Sequence, residues 1–174
     1  MSVDLNSNSS IPRRHSLRRA IGKALQLVSR HIPIPSNWRV QLQVWHGVRF
    51  RDPSTVFLGE DVYFDDVCPE YIFVGKWVRI TSGVRILTHF IDTRFVPEPN
   101  RPFHMFTGQV LIGDYVFIGM NSIIAKPVVI GNWAIIGANT VVTKDVPVGA
   151  ILAGSPARIV GYRNLPKDAN GCAN

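Results

Sequence analysis

The sequence predicts an all-β fold, a parallel β-helix of hexapeptide repeats preceded by one amphipathic helix. Three observations carry that prediction. The first is a ladder with a period of six: from Ile112 the steps land on Ile118, Ile124, Ile130, Ile136, Val142 and Val148, each aliphatic and β-branched. With Ile and Val at roughly one residue in five, so many hits in one frame have a chance probability on the order of 10⁻⁵. The second is a pair of companion lanes. One position later stand Gly113, Gly119, Ala125, Gly131, Gly137, Thr143 and Gly149; four positions later stand Val116, Ser122, Val128, Ala134, Thr140, Val146 and Leu152. The third is the period itself, which matches neither an amphipathic helix nor plain strand alternation. It reads as short flat strands, each followed by a turn.

Composition bounds the rest. The chain has 174 residues, 46% hydrophobic and 18% charged, which fits one globular domain and excludes a disordered chain. No apolar run approaches the ~20 residues of a membrane-spanning helix. Met1 to Pro12 lacks the apolar centre of a secretory signal, and Cys68 and Cys172 give no disulfide framework. A reducing cytoplasm is the expected compartment. The net charge of +7 calls for an anionic partner: nucleic acid, an acidic membrane surface or a phosphorylated small molecule.

The elements follow in order. Residues 1–14 read as disordered, residues 15–57 as a helical and irregular N-terminal cap, residues 58–163 as the β-helix and residues 164–174 as a flexible tail. Leu17, Ile21, Ala24, Leu25, Val28 and Ile32 fall on one helical face, with Arg18, Arg19, Lys23, Gln26 and Arg30 on the other. Ser16 suits the N-cap, and Pro33 with Pro35 ends the helix. The helix either packs its apolar stripe over the open end of the solenoid or lies on an anionic membrane, at the inner face. Residues 37–57 alternate only partly, through Trp38, Val40, Leu42 and Val44. Leu58 and Phe64 open the hexads, and Val74, Ile80 and Ile86 continue them after a slip, so the segment Cys68–Phe73 with Pro69 must bulge. A second break follows His89. If Phe106-Thr107 opens the next hexad, residues 92–105 form an extruded loop stiffened by Pro97, Pro99 and Pro102. Ala157, Ile159 and Val160 suit a last strand.

The block from Ile130-Gly131-Asn132-Trp133 through Gly137-Ala138-Asn139, Val142-Thr143-Lys144-Asp145 and Gly154-Ser155-Pro156-Ala157-Arg158 resembles the C-terminal signature of the hexapeptide-repeat acyltransferases. The similar branch includes the galactoside, maltose and polysaccharide O-acetyltransferases. Tyr63-Phe64-Asp65-Asp66 and Ile86-Leu87-Thr88-His89 resemble its sugar and capsule members. The resemblance covers about residues 47–163. It implies a left-handed β-helix with three hexads per triangular coil, a homotrimer, and acetyl-CoA in the groove between neighbouring subunits. It implies a sugar or lipid-linked saccharide as acceptor, surface polysaccharide or lipopolysaccharide biosynthesis as the setting, no metal and no nucleic acid.

The implied chemistry is acetyl transfer to a hydroxyl, which needs a positioned base because an alcohol is a poor nucleophile at neutral pH. Of five histidines, only His89 sits inside a hexad at the lip of the loop, in the context that matches the family's catalytic position. Asp92 either holds the imidazole tautomer or caps the loop turn; Glu98 and His104 are weaker candidates. Lys144 and Arg158 match the positions that meet coenzyme A phosphates, and Gly137, Ala138 and Thr143 those along which pantetheine runs. Met120 stands near the thiol end where many relatives have a smaller residue, Asn139 replaces a usual glycine, and Lys126-Pro127 replaces Pro-Gly. The competing readings are N-acylation of a nucleotide-linked amino sugar, a zinc hydratase that requires three converging histidines, and a non-catalytic basic scaffold at a membrane surface.

Overall fold

The computed structural model describes residues 16–91 and 105–165. The expected disordered start, Asp92, Glu98, His104 and most of the tail lie outside the described residues.

Parallel strands of two to four residues stack into three sheets that form the sides of a triangular prism. The first face holds β1 (Arg49–Phe50), β4 (Ile72–Val74), β9 (Val110–Ile112) and β12 (Val129–Ile130). The second holds β2 (Phe57–Leu58), β5 (Arg79–Ile80), β10 (Phe117–Ile118), β13 (Ile135–Ile136) and β15 (Ala150–Ala153). The third holds β3 (Tyr63–Phe64), β6 (Arg85–Ile86), β11 (Ile123–Ile124) and β14 (Val141–Val142). The last strand, β16 (Arg158–Tyr162), turns back antiparallel on β15. The registers stack Leu58 on Ile80, Ile118, Ile136 and Leu152, and Phe64 on Ile86, Ile124 and Val142. These ladders are buried along the prism axis, and each buried Ile or Leu contributes roughly 1.5–3 kcal/mol.

The six-step ladder fails at its end. Val148 is 43% exposed, while Val146 bridges to Ile130 and fills the core position. The early slip is a 3₁₀ turn over Pro69–Tyr71, which lengthens the corner between β3 and β4. Phe106-Thr107 does not open a coil. It belongs to β8 (Met105–Thr107), which pairs antiparallel with β7 (His89–Ile91); residues 92–104, the body of the expected loop, lie outside the described residues.

The coil begins ahead of residue 58, since β1 already pairs with β4. Before it, α1 (Ser16–His31) and α2 (Ser36–His46) cover the open end. Partial alternation hid α2, whose buried residues Arg39, Leu42, Gln43 and His46 follow the helical spacing. The cap works through polar groups. The first coil has no neighbour above it, so its backbone needs side-chain partners. Ser36 Oγ accepts from the Leu58 amide at 2.7 Å, Arg39 donates to the Leu58 carbonyl and Gln26 donates to the Phe64 carbonyl. Arg30 and Arg85 both clamp Asp61, whose carboxyl burial pushes up but these guanidiniums hold below its ordinary value. The face of α1 against the coil is therefore Gly22, Gln26 and Ser29, and the expected packing of its apolar stripe is reversed: Leu17, Ile21 and Ile32 are exposed.

Non-glycine residues occupy left-handed corners. Trp77, Tyr115 and Trp133 (φ +58°, +60° and +65°) stand on one, and Asp61, Asn121 and Asn139 (φ +51°, +57° and +54°) on another. The Tyr115 and Trp133 rings stack at 4.0 Å and 3°, which offsets the local backbone cost. Asn139 is thus a tolerated substitute for glycine there. Gly119 has no substitute, because a Cβ would lie 2.6 Å from the Ala138 amide nitrogen and 2.8 Å from the Gly137 carbonyl carbon. Gly119→Ala is expected to cost about 1–3 kcal/mol, read as a lowered Tm in thermal unfolding. An unchanged Tm would show that the coils do not approach so closely.

Candidate active site

The corner from the third face to the first gathers the chemically capable side chains. Leu87-Thr88-His89 passes over it, the Leu87 amide donates to Ile124 and the Ala125 amide to Val142. Thr88, Lys126 and Lys144 are therefore register equivalents on successive coils, about 4.8 Å apart, and His89 follows Thr88 at the same edge. Above His89 is Asp65, fully buried, in a lane that otherwise holds Leu87, Ala125 and Thr143.

Asp65 makes four contacts. Its Oδ1 accepts from the Val67 amide at 2.9 Å; its Oδ2 accepts from the Thr88 amide and hydroxyl, each at 2.7 Å, and lies 2.6 Å from His89 Nδ1. Burial pushes this carboxyl up, but the hydrogen bonds from Thr88, Val67 and His89 outweigh it and hold it below its ordinary value. An ionised carboxylate only accepts, so His89 Nδ1 carries the proton and Nε2 is the basic nitrogen. The His89 side chain is 28% exposed, enough to reach a ligand while its ring stays fixed.

Beside the pair, the Tyr63 hydroxyl donates to Asp66 at 2.7 Å; burial and then Asp66 push the Tyr63 phenol up. Lys23 of α1 stands 4.0 Å from Asp66. Phe90 of the loop stem stacks on Phe106 at 5.4 Å, and the Lys126 ammonium lies 5.9 Å from the Phe90 ring.

The expected cofactor residues divide between corners. Thr143 and Lys144 share the edge of His89. Met120, Gly137 and Ala138 line the corner from the second face to the third, where Met120 is 52% exposed and its carbonyl accepts from the Asn139 amide. Arg158 begins β16, exposed. Lys144 lies six positions after Ala138 in the chain, so the two groups are up to roughly 20 Å apart. Sequence reasoning did not pick out Asp65. The available signal was a carboxylate in an otherwise apolar or small lane, directly after the inward Phe64.

A family model described as "Bacterial transferase hexapeptide (six repeats)" matches residues 109–144. The chain is also 37% identical over 138 residues to Protein CapG of Staphylococcus aureus, covering 77% of this chain and 73% of CapG. It belongs to the hexapeptide-repeat acetyltransferase family. A solved relative is the maltose O-acetyltransferase from Clostridium difficile 630, 26% identical with a TM-score of 0.60 over 87% of this chain and 90% of that one. Galactoside acetyltransferase in complex with coenzyme A is 22% identical, with a TM-score of 0.57 over 84% and 80% of the two chains. The family's β-helix is the left-handed prism expected from the sequence.

Proposed function

We propose that the protein is an acetyl-CoA-dependent O-acetyltransferase of a sugar hydroxyl, with His89 as general base. The observation that carries this reading is the 2.6 Å contact between His89 Nδ1 and the buried Asp65 carboxylate at the lip of the loop. His89 Nε2 takes the hydroxyl proton as the sugar oxygen attacks the thioester carbonyl carbon. The carbon–sulfur bond then breaks, and the imidazolium returns the proton to the departing thiolate. Asp65 fixes the tautomer and stabilises the imidazolium between the two steps. No covalent acyl-enzyme is required. Lys144 and Arg158 are the candidate partners for the cofactor phosphates, Gly137, Ala138 and Thr143 border the pantetheine arm, and Met120 narrows its thiol end. The direct test incubates the protein with acetyl-CoA and a panel of sugars, reading free thiol and locating the acetyl group in the product. Acetylation only of the amine of nucleotide-linked amino sugars overturns the O-transfer assignment.

The division of the cofactor residues between two corners supports a homotrimer in which one protomer supplies His89 and Lys144 and its neighbour supplies Met120 and Ala138. Mixing His89→Ala with Ala138→Trp chains is then expected to restore about a quarter of wild-type activity in randomly assembled trimers. A mixture no more active than its parents places each site within one chain.

A further inference from the structure

The free side of α1 is apolar except for the exposed His31 at its last position. Leu17, Ile21 and Leu27 are 71%, 52% and 62% exposed, and Ala20 and Ala24 between them are exposed too. At helical spacing these five positions span about 120°, centred opposite Gly22, Gln26 and Ser29. A helix on a globular surface ordinarily shows water its polar side; here that side is consumed in capping the first coil.

Charge is segregated in the same part of the chain. Residues 1–51 hold nine of the 19 Lys and Arg but only Asp4 of the 12 acidic residues. Residues 1–51 thus carry +8 and the rest of the chain −1; of the nine basic residues Arg30, Arg39 and Arg51 pair with Asp61, Glu60 and Asp114. On α1 itself the Lys23 side chain is 71% exposed. Among the described residues no helix is long and apolar enough to cross a membrane.

We propose that α1 is an in-plane anchor that docks the protein on an anionic lipid bilayer, its apolar side set into the headgroup–acyl boundary and its basic surroundings against lipid phosphates. The combination fits lipid better than nucleic acid, whose phosphates would meet leucine, isoleucine and alanine. Docking would hold the first-coil end against the bilayer. Gln26 and Lys23 of α1 reach Phe64 and Asp66 there, on either side of the carboxylate that holds His89. If the proposed O-transfer is correct, the acceptor class this arrangement favours is a saccharide carried on a lipid; the docking itself does not depend on that reading.

The test is co-sedimentation of the full chain with phosphatidylcholine vesicles containing about 30% phosphatidylglycerol, against pure phosphatidylcholine. The protein is expected to pellet with the anionic vesicles and to be released as salt rises from about 0.1 to about 0.5 M. The double substitutions I21E/L27E and I21S/L27S should each lower the partition coefficient at least tenfold, with circular dichroism, unfolding midpoint and size unchanged. Absence of binding by the wild-type chain overturns the proposal, as does undiminished binding by the folded variants. A smaller assembly for the variants in light scattering overturns it too, and assigns the face to contact between copies of this chain.

Discussion

His89→Ala is expected to lower kcat/KM for acetyl transfer by about 10²–10⁴-fold, the usual contribution of a general base. Its effect on folding should be small. The ring is partly exposed, and Asp65 keeps the Val67 and Thr88 donors when the imidazole is removed. Parallel measurement of steady-state rates and Tm separates chemistry from stability. A His89→Ala protein with full activity would remove His89 from the mechanism; one that loses activity only through unfolding would make it a structural residue.

Asp65→Ala should damage both properties. It leaves two buried donors, the Thr88 amide and hydroxyl, and the half-buried Val67 amide without their acceptor, at roughly 1–3 kcal/mol for each buried one. A loss on the order of 3–5 kcal/mol is expected in denaturant unfolding, together with a fall in kcat as the imidazole loses its orienting partner. The pH dependence has a definite sign. Asp65 titrates lower in the folded chain than its ordinary value of 3.8, so its stabilisation is fully present above that value. It is lost as pH falls below 3.8 through the folded pKa. Asp65→Asn, which keeps the shape, should flatten that acid limb of stability. Equal acid sensitivity of Asp65→Asn and wild type would show that this carboxylate is not the group concerned.

What the sequence made legible is what repeats. Ile118, Ile124, Ile130 and Ile136 report the coil because each is one copy of the same packing problem, and the register follows from their spacing. Non-repeating parts were harder to read. In α2, Trp38, Val40, Leu42 and Val44 mimic a strand because the helix buries Arg39, Gln43 and His46, polar residues that hydropathy assigns to solvent. In α1 the helix was clear but the face that meets the coil was open between two readings, and the need of the first coil for hydrogen-bond partners turns Leu17, Ile21 and Leu27 outward. At the site, His89 was visible from its place at the break in rhythm. Asp65 was not, because its partners Thr88 and His89 lie more than twenty positions along the chain and only the coil brings them together.

The loop stem has a consequence for how such a protein diversifies. The chain leaves the prism after Thr88 and returns at Gly108, whose amide donates to the Thr88 carbonyl at 2.8 Å. Exit and re-entry are therefore neighbours, and β7, which carries His89, with β8 forms a fixed socket for whatever joins Ile91 to Met105. Doubling the length of such an insertion costs only about 0.6 kcal/mol in closure entropy. Selection can exchange the segment between Ile91 and Met105 and leave His89 and every coil untouched.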